Sequence, residues 1–185
     1  MLQTTDKHTG VYFHIPYCKK ACHYCNFHFS TSIQSKSELT EAIVKEIELT
    51  NGKDSRVIST IYFGGGTPSL LFRKELKLIL EKTKSAFTIL DNAEITFEVN
   101  PDDVSENMLQ FWKEQGINRL SIGIQSFRDE DLKWMNRAHQ SSQAMEAVEL
   151  AKKIGFENYS IDLIYGIPGL SDEAWLANIN QALAF

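Results

Sequence analysis

The chain has 185 residues, of which 43% are hydrophobic, 23% charged and 11% aromatic. This is the composition of an ordinary globular domain, and it excludes a disordered tail, a collagen-like repeat and a disulfide miniprotein. The net charge of −5 disfavours a nucleic-acid partner that is bound by phosphate neutralisation. No apolar run reaches the roughly 18 residues of a membrane span, and the first residues lack the apolar stretch of a signal peptide. We therefore expect a cytoplasmic protein that does not span a membrane.

Five apolar runs, rich in β-branched and aromatic residues, are spread along the chain, and a segment of helical periodicity follows each of them. This alternation predicts five strand–helix units and hence a parallel sheet covered by helices. The predicted strands are residues 11–15, 57–63, 94–99, 119–124 and 159–164.

Capping residues set the expected limits of the helices. The first helix is expected to stop at Gly52, and the third to open at Asp103. Gly155 is expected to close the fourth helix, and Ser171 to cap the fifth. A closed barrel of eight units needs about 250 residues, so five units predict an open or partial barrel.

In folds of this kind the chemistry lies at the carboxyl ends of the strands. Each of the first four predicted strands ends in a polar or glycine-rich segment, and the fifth strand contains Asp162. In chain order the four segments are the cysteine loop, GGGTP at residues 64–68, EVNP at 98–101 and IQS at 124–126. Each feature also has an ordinary explanation. The glycines could serve only a tight turn, and Arg137 could be a solvated helix residue. A carboxylate inside an apolar run, such as Glu98 or Asp162, would be costly if it had no partner.

The three cysteines of the chain, Cys18, Cys22 and Cys25, fall within eight residues. An odd count excludes a disulfide framework, and thiols this close together favour a metal site. Three thiolates can hold three irons of a [4Fe–4S] cluster and leave the fourth iron without a protein ligand. The alternatives are three structural cysteines or a zinc site with a histidine as fourth ligand, namely His14, His23 or His28.

Six segments in this order resemble the radical S-adenosylmethionine (SAM) superfamily, and within it the coproporphyrinogen-dehydrogenase-like branch: YFHIPYCKKACHYCNF, YFGGGTPSLL, FEVNP, GIQSF, NRAH and DLIYGIPG. The resemblance runs from about Val11 to the end of the chain. It implies a partial (β/α) barrel of the radical SAM type. Residues 1–185 would be the N-terminal five units of a (β/α)6-type barrel, with a C-terminal remainder outside this chain.

The resemblance also implies the cofactors. A [4Fe–4S] cluster on Cys18, Cys22 and Cys25 would bind SAM at its open iron, and an electron from an external donor would allow the cluster to cleave SAM. Residues that match the family's contacts to this SAM are Tyr12, Tyr24, Gly65, Gly66, Thr67 and Glu98. Residues that match its contacts to a second SAM are Gln125, Arg137 and Asp162.

Two departures from the dehydrogenase pattern look like the heme-chaperone subgroup of this branch. Phe27 stands where the dehydrogenase has a further cysteine, and the first strand begins only about ten residues into the chain. This subgroup implies binding of heme and its transfer to an apo-hemoprotein acceptor, in solution or at a membrane. No heme ligand is assigned; His14, His23, His28 and His139 are available.

Three other functions remain as alternatives. The first is an enzyme that binds a porphyrinogen, an oxygen-independent coproporphyrinogen III dehydrogenase. The second is a zinc-stabilised binding module, which the polar strand ends disfavour. The third is a tRNA-modifying radical SAM enzyme, which the mild acidity disfavours.

Overall fold

The computed structural model describes residues 8–50 and 56–185, which form five strands and six helices. In chain order they are β1 (His8–Ile15), α1 (Lys36–Thr50), β2 (Val57–Gly65), α2 (Arg73–Ala86), β3 (Ile89–Val99), α3 (Glu106–Glu114), β4 (Arg119–Gln125), α4 (Asp129–Trp134), α5 (Ser141–Ile154), β5 (Tyr159–Leu163) and α6 (Asp172–Leu183). Among the helices of the described ranges, none combines the length and apolarity needed to cross a bilayer.

The strands form a single parallel sheet in the order β1-β2-β3-β4-β5, so each strand pairs with its neighbour in the chain. All five predicted strands are present, and the α/β fold with an open parallel sheet is confirmed. The largest difference is in β3, which begins at Ile89, five residues earlier than predicted. Polar residues such as Asp91 and Asn92 interrupt the apolar pattern there and hide the start of the strand.

Aromatic side chains in register form the core between the sheet and the helices. Phe13 of β1 pairs with Phe63 of β2, which pairs with Phe97 of β3. Their ring centroids are 4.8 Å and 5.6 Å apart, and Trp112 of α3 lies 5.3 Å beyond Phe97. All four side chains are buried. One face of the sheet therefore packs against the helices.

The other face of the sheet is polar. Because side chains alternate between the two faces of a strand, the neighbours of the core phenylalanines point the opposite way. These neighbours include Tyr12, Tyr62 and Glu98, and Glu98 pairs in register with Ser121 of β4. The same backbone register that builds the core thus gathers polar groups on the opposite face.

The prediction that Asp103 opens the third helix is wrong. Pro101 begins a short 3-10 turn that includes Asp103, and Ser105 caps α3 by accepting a hydrogen bond from the Met108 N–H at 3.3 Å. The Asp103 carboxylate instead accepts a hydrogen bond from the Ser69 hydroxyl at 2.6 Å. A capping aspartate and one held by tertiary contacts look the same in sequence.

The other predicted helix limits have mixed outcomes. Gly155 ends α5 with a φ of +88°, and Ser171 caps α6 by accepting from the Ala174 N–H, as predicted. Gly52, the expected end of α1, lies outside the described residues. Helix α4 was not predicted, because its six residues are too few to show a helical period.

A buried ion pair joins α1 to α2. The Lys36 ammonium lies 3.5 Å from the Glu75 carboxylate, and these side chains are 3% and 4% exposed. Lys36 also donates to the Leu70 carbonyl at 2.5 Å and lies over the Phe72 ring. Glu75 accepts a hydrogen bond from the Phe72 N–H at 2.8 Å. Removing one partner would leave the other charge buried without compensation.

We expect Lys36→Met to lower the free energy of unfolding by about 3 kcal/mol, because it leaves the Glu75 carboxylate buried and unpaired. Adding Glu75→Gln removes that charge and should recover more than half of the loss. Urea denaturation followed by circular dichroism measures both. Lys45→Met is the matched control, because Lys45 pairs with Glu48 at the surface, 3.9 Å away, and should change the stability by less than about 0.5 kcal/mol. A double variant as unstable as Lys36→Met alone would contradict this account.

Candidate functional site

A cavity of about 440 Å³ lies where the strands end, against the polar face of the sheet. Its volume is within the range of small-molecule and cofactor sites. The structure brings all of the residues proposed from the sequence to its walls: Tyr12, Cys18, Cys22, Tyr24, Cys25, Gly65, Gly66, Thr67, Glu98, Gln125, Arg137 and Asp162. Their individual roles stay predictions.

The cysteine loop, residues 16–35, has no regular secondary structure but is closed at its base. The Cys18 N–H donates to the Ser30 carbonyl at 3.0 Å, and the Ser30 N–H donates to the Pro16 carbonyl at 2.7 Å. Within the loop, the Cys25 N–H donates to the Cys22 carbonyl at 3.1 Å, which brings these two residues into one turn. The loop is therefore shaped by backbone hydrogen bonds.

The end of α4 holds the outer part of this loop. The His23 N–H donates to the Met135 carbonyl at 3.1 Å, and the His23 ring donates through Nδ1 to the Trp134 carbonyl at 2.8 Å. Asn136 donates from its side chain to the Ala21 carbonyl at 2.9 Å. The segment that follows β4 thus fixes a loop more than 110 residues earlier in the chain.

Each cysteine is free and partly buried. Thr67 lies with its hydroxyl 3.6 Å from the Cys18 sulfur, and Arg137 Nη1 lies 3.6 Å from the Cys22 sulfur. Burial raises the pKa of Cys18, against the lowering effect of the Thr67 hydrogen bond. Three free thiols on the wall of one cavity, with a cation beside them, are a donor set that fits an iron–sulfur cluster.

The zinc alternative requires ligands that converge on one point. Within residues 8–50 and 56–185, no group of three or more His, Cys, Asp or Glu side chains is arranged to hold a single metal ion. His23, one of the histidines considered as a fourth ligand, donates to a backbone carbonyl through Nδ1, so only its Nε2 could serve as a ligand.

The glycine turn after β2 fits closely against its neighbours. A Cβ atom on Gly66 would lie 2.7 Å from the Tyr17 carbonyl oxygen and 3.0 Å from the Cys18 sulfur. Gly65 has a φ of +114°, and a Cβ there would lie 2.8 Å from the His14 ring. Both glycines are therefore required by the packing of the turn against β1 and the cysteine loop, whatever else they contact.

Glu98 has a partner that the sequence did not reveal. The Tyr62 hydroxyl donates to the Glu98 carboxylate at 2.7 Å, and the Tyr12 ring stacks on Tyr62 with centroids 5.9 Å apart. Burial raises the pKa of Glu98, while the hydrogen bonds from Tyr62 and the Gly65 backbone lower it. The signal for Tyr62 was present, since it is two residues before Gly64 on the same strand face.

Arg137 is not a solvated helix residue; it connects the two sides of the cavity. From Nη2 it donates to the Asn100 side chain at 2.8 Å and to the Gly123 carbonyl at 2.7 Å. From Nη1 it donates to the Tyr24 hydroxyl at 3.2 Å. Burial raises the pKa of Tyr24 to about 12, against the opposing effect of the Arg137 cation. The Arg137 Nε atom is buried without a partner among the described residues.

The two remaining site residues lie on β4 and β5. The Gln125 amide lies beside Gly123, where an added Cβ would be 3.0 Å from Gln125 Nε2. Asp162 accepts a hydrogen bond from the Ser121 hydroxyl at 3.2 Å. Its apolar sequence context suggested a buried carboxylate, but Asp162 is exposed because β5 is the last strand of the described sheet.

Comparisons with known proteins identify the family of the chain. The pattern of the radical SAM superfamily matches residues 12–182. The chain is 38% identical to the heme chaperone HemW of Bacillus subtilis (strain 168) over 178 residues, which are 95% of this chain and 47% of that protein. It is 33% identical to HemW of Escherichia coli (strain K12), with 94% and 47% covered.

The structure also resembles a solved one. Coproporphyrinogen III oxidase (HemN) from Escherichia coli, a radical SAM enzyme, matches with a TM-score of 0.81 and 30% identity, over 94% of this chain and 41% of that one. The chain thus spans about half the length of the curated relatives described above. Because the superfamily pattern covers nearly all of it, the chain belongs to the radical SAM superfamily, which implies a [4Fe–4S] cluster and SAM, and within that superfamily it is similar to the HemW-type proteins.

Proposed function

We propose that this chain is the cofactor-binding part of a cytoplasmic heme chaperone, which binds heme and transfers it to an apo-hemoprotein acceptor. The observation that carries the proposal is the similarity to proteins named heme chaperone HemW, at 33–39% identity over 94–96% of this chain. The cavity supports it, because three thiols and several polar side chains line a single cavity that is large enough for a cofactor.

In this proposal Cys18, Cys22 and Cys25 hold the cluster. When bound, the cluster supplies an electron, received from an external donor, for the reductive cleavage of SAM. The chain positions these groups: Thr67 donates toward the Cys18 sulfur, and the Arg137 cation offsets negative charge near Cys22.

SAM would lie over the polar face of the sheet. The Glu98 carboxylate, held by the Tyr62 hydroxyl, is placed to accept hydrogen bonds from a cationic or hydroxylated part of SAM. Tyr12 exposes its ring at the same wall and offers a flat surface. Gln125, Arg137 and Asp162, on the β4–β5 side of the same cavity, would contact the second SAM that the family resemblance implies.

The residue at position 27, a phenylalanine, favours heme binding over the conversion of a porphyrinogen. Its side chain is 77% exposed and lines the cavity together with Phe29. A phenyl ring can stack against a flat porphyrin, but it has no exchangeable proton and cannot serve as a hydrogen or electron relay. The match to HemN keeps coproporphyrinogen III dehydrogenase as the second candidate.

Substituting any one cysteine of the loop by serine should abolish the cluster, because each thiolate is expected to hold a different iron. Anaerobically reconstituted protein should contain about four irons per chain, with broad visible absorption that each variant loses. His28→Gln is the matched control, since His28 lies exposed in the same loop and should not affect iron content. Stoichiometric zinc without iron–sulfur absorption, or metal lost on His28→Gln, would favour the zinc site.

The two glycines of the turn should have different effects. Gly65→Val should leave the cluster assembled and weaken SAM binding, because valine resists a φ of +114° and would displace the turn at the cavity wall. Gly66→Ala should lower the iron content, because its Cβ would press on Cys18. Iron analysis and equilibrium dialysis with SAM separate the two. Unchanged SAM affinity in a cluster-loaded Gly65→Val protein would show that this glycine serves the turn alone.

The heme proposal is tested with the intact, cluster-loaded protein. It should bind heme, seen as a shifted Soret band, and pass it to an apo-hemoprotein. It should not convert coproporphyrinogen III in the presence of SAM and a strong reductant, and Phe27→Cys should not be sufficient to establish turnover. Catalytic formation of protoporphyrinogen IX by the unmodified protein would replace the chaperone with the dehydrogenase.

A further inference from the structure

The backbone at the end of β4 is strained. Gln125 has a φ of +68°, in the left-handed region that residues other than glycine rarely adopt. The Ser126 N–H donates to the Ile124 carbonyl at 2.9 Å, which closes a three-residue γ-turn with Gln125 at its centre. A γ-turn with positive φ at the central residue is rare and strained. The strain lies at a residue that lines the cavity.

This turn determines where the Gln125 amide lies. A Cβ on Gly123 would be 3.0 Å from Gln125 Nε2, and 3.5 Å from both Arg137 Nη2 and Asn100 Oδ1. The amide therefore sits over a glycine, next to the guanidinium and the amide that organise the cavity. Strain of this kind persists only where surrounding contacts hold it.

The side chain that holds the first half of the turn is His139. The Ile124 carbonyl accepts a second hydrogen bond, from His139 Nε2 at 3.0 Å. His139 is 3% exposed. Because a carbonyl only accepts, Nε2 carries the proton and Nδ1 does not. Burial lowers the pKa of His139 to about 4, and the Arg137 cation acts in the same direction, so the ring is neutral near pH 7.

Packing alone does not account for a histidine at this position. His139 Nδ1 is buried with no partner among the described residues. An apolar residue of similar size would avoid the cost of burying that nitrogen. What an apolar residue would lack is the Nε2–H donor to Ile124.

The second half of the turn has its own supports. Ser126 is fully buried, and its hydroxyl donates to Asp131 at 2.7 Å. The Ile164 N–H donates to the Gln125 carbonyl at 3.0 Å. These contacts act on the atoms that follow the Gln125 side chain, whereas the Ile124 carbonyl is held by the Ser126 N–H within the turn and by the His139 donor from outside it.

We propose that His139 is a positioning residue: it holds the Ile124 carbonyl in the turned orientation and so keeps the Gln125 amide directed into the cavity. The inference rests on the proposed function in one respect, namely that Gln125 contacts SAM. It concerns a residue that the sequence pattern left without a role.

Two substitutions of His139 separate the hydrogen bond from the packing. His139→Met has similar volume but no donor, whereas His139→Gln keeps an N–H near the position of Nε2. In the intact, cluster-loaded protein we expect His139→Met to weaken SAM binding by roughly tenfold and to speed hydrogen exchange at the Ser126 amide. His139→Gln should return both values to within about twofold of the unmodified protein.

A double-mutant cycle tests the route through Gln125. In a Gln125→Gly background, where there is no amide to position and no strain, His139→Met should change SAM affinity by less than about twofold. If His139→Met does not fold, His139→Asn takes its place, because its amide is too short to reach Ile124.

Each outcome decides the matter. Equal SAM affinity and equal Ser126 exchange in His139→Met and unmodified protein would overturn the inference. The inference would also be overturned if His139→Met lowered SAM affinity equally in the unmodified and the Gln125→Gly backgrounds, since His139 would then act only on the general packing. If the unmodified, cluster-loaded protein binds no SAM, the proposed function fails, and the exchange of Ser126 in His139→Met against His139→Gln still decides whether His139 holds the turn.

Discussion

In-register pairing of parallel strands decides which side chains reach the cavity. Phe13, Phe63 and Phe97 meet at the same level of β1, β2 and β3 and are all turned toward the helices. Their neighbours Tyr12, Tyr62 and Glu98 must then point the other way. A slip of one residue in β3 would move Phe97 into the cavity and the Glu98 carboxylate into the core. The hydrophobic core and the polar site therefore depend on the same backbone register.

The cysteine loop is attached to this frame mainly through charged and amide side chains. Arg137 joins the Cys22 sulfur and Tyr24 to Asn100 and Gly123. On the other side of the loop, Lys19 forms ion pairs with two aspartates of the turn after β3. The loop is thus held against the ends of several strands, and the thiols share a wall with the residues proposed to bind SAM.

Much of this could be predicted from sequence, because the governing patterns are local. Alternation between strand and helix predicted the sheet, and the strand-end rule predicted that its polar segments meet at one edge. The individual site residues came from the resemblance to the radical SAM superfamily. What could not be predicted depends on contacts between distant residues. Arg137 and Cys22 are 115 positions apart, so no window of sequence joins them. His139 could not be assigned a role, because neither its burial nor the turn at Gln125 leaves a periodic signal. Asp103 was misassigned because the Ser69 hydroxyl competes for its carboxylate.

Because the cysteine loop is attached to the segment after α4, the three-cysteine motif cannot keep its geometry when it is removed from the protein. His23 and Ala21 are held by Trp134, Met135 and Asn136, which lie beyond the fourth strand in the chain. A short peptide with the same three cysteines would contain the proposed ligands but not the contacts that space them. In such a peptide, the free energy of cluster binding would have to offset the conformational entropy that is lost when the loop becomes ordered. The three-cysteine sequence can be copied into a peptide, but the spacing of its thiols depends on contacts with residues beyond the fourth strand.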